Sequence, residues 1–194
     1  LTLYIPENGW ISLNPPLTGN RVGSYSTRTT HPYFLAGIRQ CLSSMEITQN
    51  LVNPFQNLTK GELLAKNRQP ALLRTLLPYT ISCAHPVASR WRKDRQGNCG
   101  YCFPCLMRRA ALHAVGWDDG QEYLFDVLQQ PEVLANRARG ADLRSLLYLV
   151  SRWRCQPQPT QLLWQTGPIP GSLDSHRLAA LLTRGLNEIS RWLA

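Results

Sequence analysis

Three cysteines within seven residues, Cys99-Gly100-Tyr101-Cys102-Phe103-Pro104-Cys105, with a fourth at Cys83, constrain this chain more than any other feature. Two cysteines two residues apart on a tight turn can aim both sulfurs at one ion while backbone amides turn toward those sulfurs. Gly100 and Pro104 suit such turns, and Cys83, across fifteen intervening residues, is the natural fourth donor. Zn²⁺ takes four soft donors at tetrahedral angles, so the expectation is a zinc site made by Cys83, Cys99, Cys102 and Cys105. Iron-sulfur clusters also use triple cysteines at this spacing. Disulfides are a third reading, disfavoured in a reducing compartment. His85 and His113 are near enough in sequence to replace a missing ligand, but four thiols leave neither needed. A shell of four thiolates has no open position for water, so the expected role of the ion is structural.

With 194 residues and 43% hydrophobic content, the chain can bury one core, or one core and a smaller helical appendage. It has no run of eighteen apolar residues and no leader of the charged, apolar, small-residue kind, so a cytoplasmic setting without a membrane is expected. The opening Leu1-Thr2-Leu3-Tyr4-Ile5 reads as a buried strand needing sheet neighbours, as in a fragment of a longer protein. A formal charge of +9 favours polyanionic ligands such as nucleotides, nucleic acid or acidic protein surfaces. Four thiolates and one Zn²⁺ sum to minus two, however, and Arg90, Arg92, Lys93, Arg95, Arg108 and Arg109 crowd the same stretch. Much of that basic cluster is readable as counter-charge.

The first thirty residues carry strand formers broken by Pro6, Gly9, Pro15, Pro16, Gly19 and Gly23, which predicts short strands and exposed turns. Ser26 to His31 leads into a helix that Pro32 opens, with Phe34, Leu35, Ile38, Leu42, Met45 and a core Cys41 on one stripe. A short strand is expected within 46–55. Thr59-Lys60-Gly61-Glu62 has capping-box spacing, and a second short helix over 71–77 ends at Pro78. Residues 106–115 read as a helix closed by Gly116. Beyond Trp117 helical periods dominate, over 121–129, 141–154 and 174–193, with Gln156-Pro157-Gln158-Pro159 as a linker. The expected organisation is an α/β part over 1–116 followed by an all-helical extension over 117–194.

The order of these features resembles the C-terminal half of the 7-cyano-7-deazaguanine synthase family. The resemblance rests on Leu58-Thr59-Lys60-Gly61-Glu62, on Ser82-Cys83, and on Cys99-Gly100-Tyr101-Cys102 with Cys105. Within that family it is most similar to the QueC-like branch of bacterial Qat-type anti-phage systems. That likeness lies in the run from Pro6-Glu7-Asn8-Gly9-Trp10 to Asn14-Pro15-Pro16-Leu17, in Ser26-Thr27-Arg28-Thr29-Thr30-His31-Pro32 and in Asn53-Pro54-Phe55. The likeness covers about the first 116 residues.

The resemblance implies an adenine-nucleotide α-hydrolase fold of the pyrophosphatase-loop (PP-loop) kind. It also implies a ligase that uses ATP with Mg²⁺ to adenylate the carboxylate of 7-carboxy-7-deazaguanine, releasing pyrophosphate so that an amine can attack. The amine is ammonia in the synthase and a partner protein's N-terminus in some defence-associated relatives. Carried over by position, Thr59 and Lys60 would meet the nucleotide's phosphates at a helix N-terminus. Glu7, Asn8 and Asn14 would hydrogen-bond a planar base, and Arg28, Thr29, Thr30 and His31 form a donor-rich loop suited to a carboxylate or phosphate. No residue is assigned to catalysis, because the family's Ser-Gly-Gly-x-Asp-Ser phosphate loop has no counterpart among the 194 residues. They are not expected to be active alone. The stretch between Cys83 and Cys99 is longer than the family implies, with Arg90-Trp91-Arg92-Lys93-Asp94-Arg95 filling it.

Two other classes of function fit the residues. One is a zinc-stabilised nucleic-acid-binding module in which Arg90, Trp91, Arg92, Lys93 and Arg95 combine charge with a stacking ring. The other is a partner-docking protein using the apolar stripes Leu143, Leu146, Leu147, Val150 and Leu178, Leu181, Leu182, Leu186, Ile189, although such stripes are more often core.

Overall fold

A computed structural model describes residues 1–18, 28–85 and 97–194 of the chain. The fold is mixed α/β, mostly helical, with one two-stranded parallel sheet among the described residues. Strand β1 (Thr2–Tyr4) pairs with β2 (Asn50–Val52) in the register Thr2↔Asn50, Leu3↔Leu51, Tyr4↔Val52. No described helix is long and apolar enough to cross a membrane.

The chain packs as two compact units, each built from discontinuous segments. The first combines 1–59 with 155–186, and the second combines 60–154 with 187–194. Trp117, where a composition boundary was expected, lies inside the second unit.

In the first unit β1 is followed by α1 (Gly9–Leu13), a five-residue helix where strands and exposed turns were expected. Its ends explain the difference. Asn8 caps the start, its side chain accepting from Ile11 N–H, and Asn14 closes the end in the left-handed region at φ 47°. Trp10, Leu13 and Leu17 are thereby buried rather than displayed on turns. Strand β1 itself is exposed along its length, not buried, because its described sheet offers it one neighbour.

Helix α2 (Pro32–Ser44) starts with proline in its first turn, as the sequence predicts. Its inward ridge is narrow: Leu35 is buried and Ile38 and Leu42 half-buried. Phe34 and Cys41 each sit one residue, about 100°, before a ridge residue, Met45 lies just past the helix's last residue, and all three are exposed. Cys41 is therefore not a core cysteine.

The rest of this unit is α8 (Pro159–Gln165), which begins inside the expected linker, and most of α9 (Ser175–Trp192). Leu178, Leu181, Leu182 and Leu186 of α9 are buried in the chain's own core. Gly185 makes this close approach possible, since a Cβ there would run into the Trp10 indole.

The second unit holds α3 (Lys60–Ala65), α4 (Pro70–Leu76) followed by a 3₁₀ turn (Leu77–Tyr79), and α5 (Phe103–Ala114). It continues with α6 (Pro131–Ala135), α7 (Ala141–Cys155) up to Arg154, and the last turns of α9. α3 packs along α5, and α7 buries Leu143, Leu146, Leu149 and Val150. The stripes that a docking protein would display are thus internal. The helix expected over 121–129 is absent: a 3₁₀ turn (Gly120–Glu122) leads into an extended segment with Tyr123 in an isolated parallel bridge to Asn98.

Candidate metal centre

The 3₁₀ turn delivers one limb of the site. After Tyr79 the chain is extended through Thr80, and it reaches Cys83 three residues later. Two side chains hold this limb. Arg108 of α5 donates to the Leu77 carbonyl at 2.8 Å and to the Thr80 hydroxyl. Asn98 accepts from Ser82 N–H at 2.8 Å and donates to the Thr80 carbonyl at 3.2 Å.

The second limb is the turn from Cys99 to Cys102. Gly100 takes φ 87°, where a side chain is strained, and a Cβ there would also collide with the Phe125 carbonyl. Cys102 stands at the N-cap of α5 yet its side chain caps no amide, and Pro104 occupies the first turn. The Phe103 amide is served instead by Asp142 of α7 at 2.7 Å. Cys105 lies in that first turn, so two of the four sulfurs sit at the positive end of a helix, where thiolates are favoured.

All four sulfurs lie within 4.8 Å of one another. Cys99 Sγ is 3.9 Å from Cys105 Sγ, and Cys102 Sγ is 3.9 Å from Cys83 Sγ. For a tetrahedral ion with metal–sulfur bonds of about 2.3 Å, the sulfur–sulfur edge is about 3.8 Å. A disulfide needs about 2.05 Å, and every cysteine here is free. A multi-iron cluster divides its cysteines among two or four irons and spreads the full set of sulfurs further apart than one shared ion does. The quartet therefore fits a single metal ion. Backbone amides are already turned inward: Ala84 N–H donates to Cys102 Sγ, and His85 and Cys99 N–H donate to Cys83 Sγ, at 3.3–3.4 Å.

The thiols differ in how readily each gives up its proton. The Cys105 and Cys99 thiols donate to Cys102 and hold it down to about 2, as a thiolate. Serving that thiolate pushes Cys99 up to about 12, with burial adding to the rise, and raises Cys105 as well. Cys99, Cys102 and Cys105 are fully buried and Cys83 partly so, with Tyr101 and Tyr123 packed around them.

The segment behind the site runs antiparallel to no strand but bonds the Cys99 turn directly. Leu124 N–H donates to the Asn98 carbonyl and Phe125 N–H to the Cys99 carbonyl. Arg109 anchors this segment, bonded to Asp118 at 3.0 Å and Asp126 at 2.6 Å, with its guanidinium over the Tyr123 and Trp192 rings. Burial alone would lower the Arg109 pKa, but the two carboxylates more than offset it. Burial likewise works to raise Asp126, and the bond from Arg109 brings it below its ordinary 3.8. Arg109, expected as counter-charge to thiolates, is thus committed to carboxylates; Arg90 to Arg95 lie outside the described residues.

Asn98, Asp118, Tyr123 and Asp126 were not singled out as site-building residues, and Arg108 was read only as counter-charge. The one available signal was Asn98, a turn-forming side chain immediately ahead of Cys99. His85 and His113 are exposed, and neither belongs to the group of possible ligands.

The remaining expected site residues divide. Glu7 Oε1 accepts from the Asn8 backbone and side-chain amides. With Asn8 and Asn14 capping α1, all three build that turn. His31 caps α2, its Nδ1 accepting from Tyr33 N–H, and is 3% exposed. Burial and then Arg28 hold its pKa below 6.5. Arg28 and His31 both lie beside Gly167, whose Cβ would sit 3.1 Å from Arg28 Nη1. Thr29 is exposed. Thr30 lines a cavity of about 370 Å³ within the first unit. Thr59 is buried immediately before α3, and Lys60 is the helix's first residue. The next amide, Gly61 N–H, donates to Glu188 Oε1 at 3.1 Å.

No family model, curated protein or solved structure matches the chain.

Proposed function

We propose that these residues are the C-terminal portion of an ATP-dependent C–N ligase of the 7-cyano-7-deazaguanine synthase type. The fold would be a PP-loop ATP pyrophosphatase domain acting on a 7-deazaguanine carboxylate in anti-phage defence. The observation that carries this reading is the convergence of Cys83, Cys99, Cys102 and Cys105 on one point, in the motif on which the family resemblance rests. Zinc is the metal this donor set favours, since four thiolates at tetrahedral spacing suit a soft d¹⁰ ion and close its shell. A closed shell gives no Lewis-acid position, so the ion's part is to clamp the Cys83 limb onto the turn ahead of α5.

A second support is the cavity beside Thr30. Its lining includes Asn53, the residue after β2, and Gly9 and Ser12 of α1, the element that follows β1; ligands of open α/β sheets bind beyond the carboxyl ends of the strands. Thr59 and Lys60 keep their proposed part beside the nucleotide's phosphates, with Mg²⁺ accompanying ATP.

The test is product analysis on the complete protein. It should convert ATP to AMP and pyrophosphate only when 7-carboxy-7-deazaguanine is supplied, with an amine from ammonia or a partner protein's N-terminus as acceptor. Release of ADP, or turnover indifferent to that acid, would overturn the assignment.

A further inference from the structure

The cavity of the first unit has two walls of different origin. One is made by the strand-end segments and α2, including Ser12, Asn53 and Arg39. The other comes from residues 170–178, more than a hundred positions away in sequence, and contributes Leu173, Asp174 and Arg177. No motif in the family resemblance reaches this second wall.

The chemistry of the lining is asymmetric. At the floor, Ser12 and Asn53 are 3% and 7% exposed, and they face each other at 3.4 Å, a long contact for a hydrogen bond. The Asn53 side-chain oxygen is taken by Phe55 N–H and its amide donates to Ser12 Oγ, which leaves the second amide hydrogen and the Ser12 hydroxyl proton to meet a ligand's edge. Leu13, Leu35, Leu173 and Leu178 supply the apolar part of the lining.

At the rim two arginines stand against one carboxylate. Asp174 already caps α9, accepting from His176 and Arg177 N–H. Arg39 is anchored by Nε and Nη2 on the Leu51 carbonyl. Arg177 is an exposed side chain of the lining, and among the described residues its backbone amide, not its guanidinium, is the group bonded to Asp174. A volume near 370 Å³ is at the small end for ligand sites and suits a single flat ring system rather than a dinucleotide.

We infer that residues 170–178 form the selectivity wall of this cavity, and that Arg177 selects planar heteroaromatic acids over their uncharged counterparts. The inference deepens the proposed function and rests on it only for the identity of the deazapurine ring. A carboxylate at the rim would accept from Arg177 while the ring edge meets Asn53 and Ser12. The cap at Asp174 uses the backbone amide of residue 177, so changing that side chain leaves α9 intact.

The test is equilibrium titration of the complete protein and its Arg177→Gln and Arg177→Lys variants with two matched pairs of probes. One pair is 7-carboxy-7-deazaguanine and 7-cyano-7-deazaguanine; the other is indole-3-carboxylate and indole-3-carboxamide. In the unmodified protein each acid should bind about three- to fivefold tighter than its neutral partner, the size of an ion pair at an exposed side chain. Arg177→Gln should abolish that preference while leaving the neutral probes' affinities unchanged, and Arg177→Lys should restore part of it. A preference seen with the indole pair alone would keep the selectivity wall and sink the deazapurine reading. Equal binding of acid and neutral probes, a preference untouched by Arg177→Gln, or no binding of any probe would overturn the inference.

Discussion

Asn98 spans both limbs of the metal centre with one side chain, accepting from Ser82 and donating to Thr80. It lies directly before Cys99, and its own carbonyl is bonded to Leu124 N–H, so three segments meet at one residue. Its Asn98→Ala variant leaves the Ser82 amide and the Thr80 carbonyl without their partner, at a cost of about 1–3 kcal/mol. More specifically, the Cys83 sulfur loses its alignment, and metal affinity should fall about 10- to 100-fold, as for other residues that orient metal ligands. Competition against a chromophoric chelator measures this directly. An affinity equal to that of the unmodified chain would show that the ion, not Asn98, positions Cys83.

Among the elements, α2 shows how a local signal and its use can differ. Pro32 at the helix start was legible, but the part of His31 was not: it is the N-cap, buried and held neutral by burial and Arg28. A pKa depressed below 6.5 means the unfolded chain binds the proton more readily than the folded one. The associated stability is complete above 6.5 and is lost as pH falls from there through the folded value. Urea midpoints at neutral pH and at about pH 5 should therefore diverge. His31→Asn keeps a capping oxygen and cannot titrate, so it should shrink that divergence; an unchanged divergence would assign the effect elsewhere.

Helices α4 and α5 were readable from their apolar runs over 71–77 and 106–115, which fall within a few residues of the observed spans. Helices α1 and α6, five residues each, were not, since helices so short are marginal alone and depend on tertiary packing. The segment 121–129 has helical periodicity, yet Asp118 and Asp126 are drawn to Arg109 and its backbone is drawn to Asn98 and Cys99.

At the scale of the whole molecule, the cysteine quartet was legible because metal ligation fixes spacing and residue type together. The two discontinuous units were not, because nothing in local composition tells 155–186 to join 1–59 or 187–194 to join 60–154. Gly185 beside Trp10 and Gly61 beside Glu188 record those meetings only once the fold is known. The same long-range assembly creates the cavity wall at 170–178.

Within the second unit, a metal ion would join the Cys83 limb to α5, so X-ray absorption at the zinc edge of the purified chain is the most direct test of the account. It predicts one zinc per chain surrounded by four sulfurs at about 2.3 Å. Substoichiometric zinc, a shell containing nitrogen or oxygen, or iron with a neighbouring iron scatterer would contradict it.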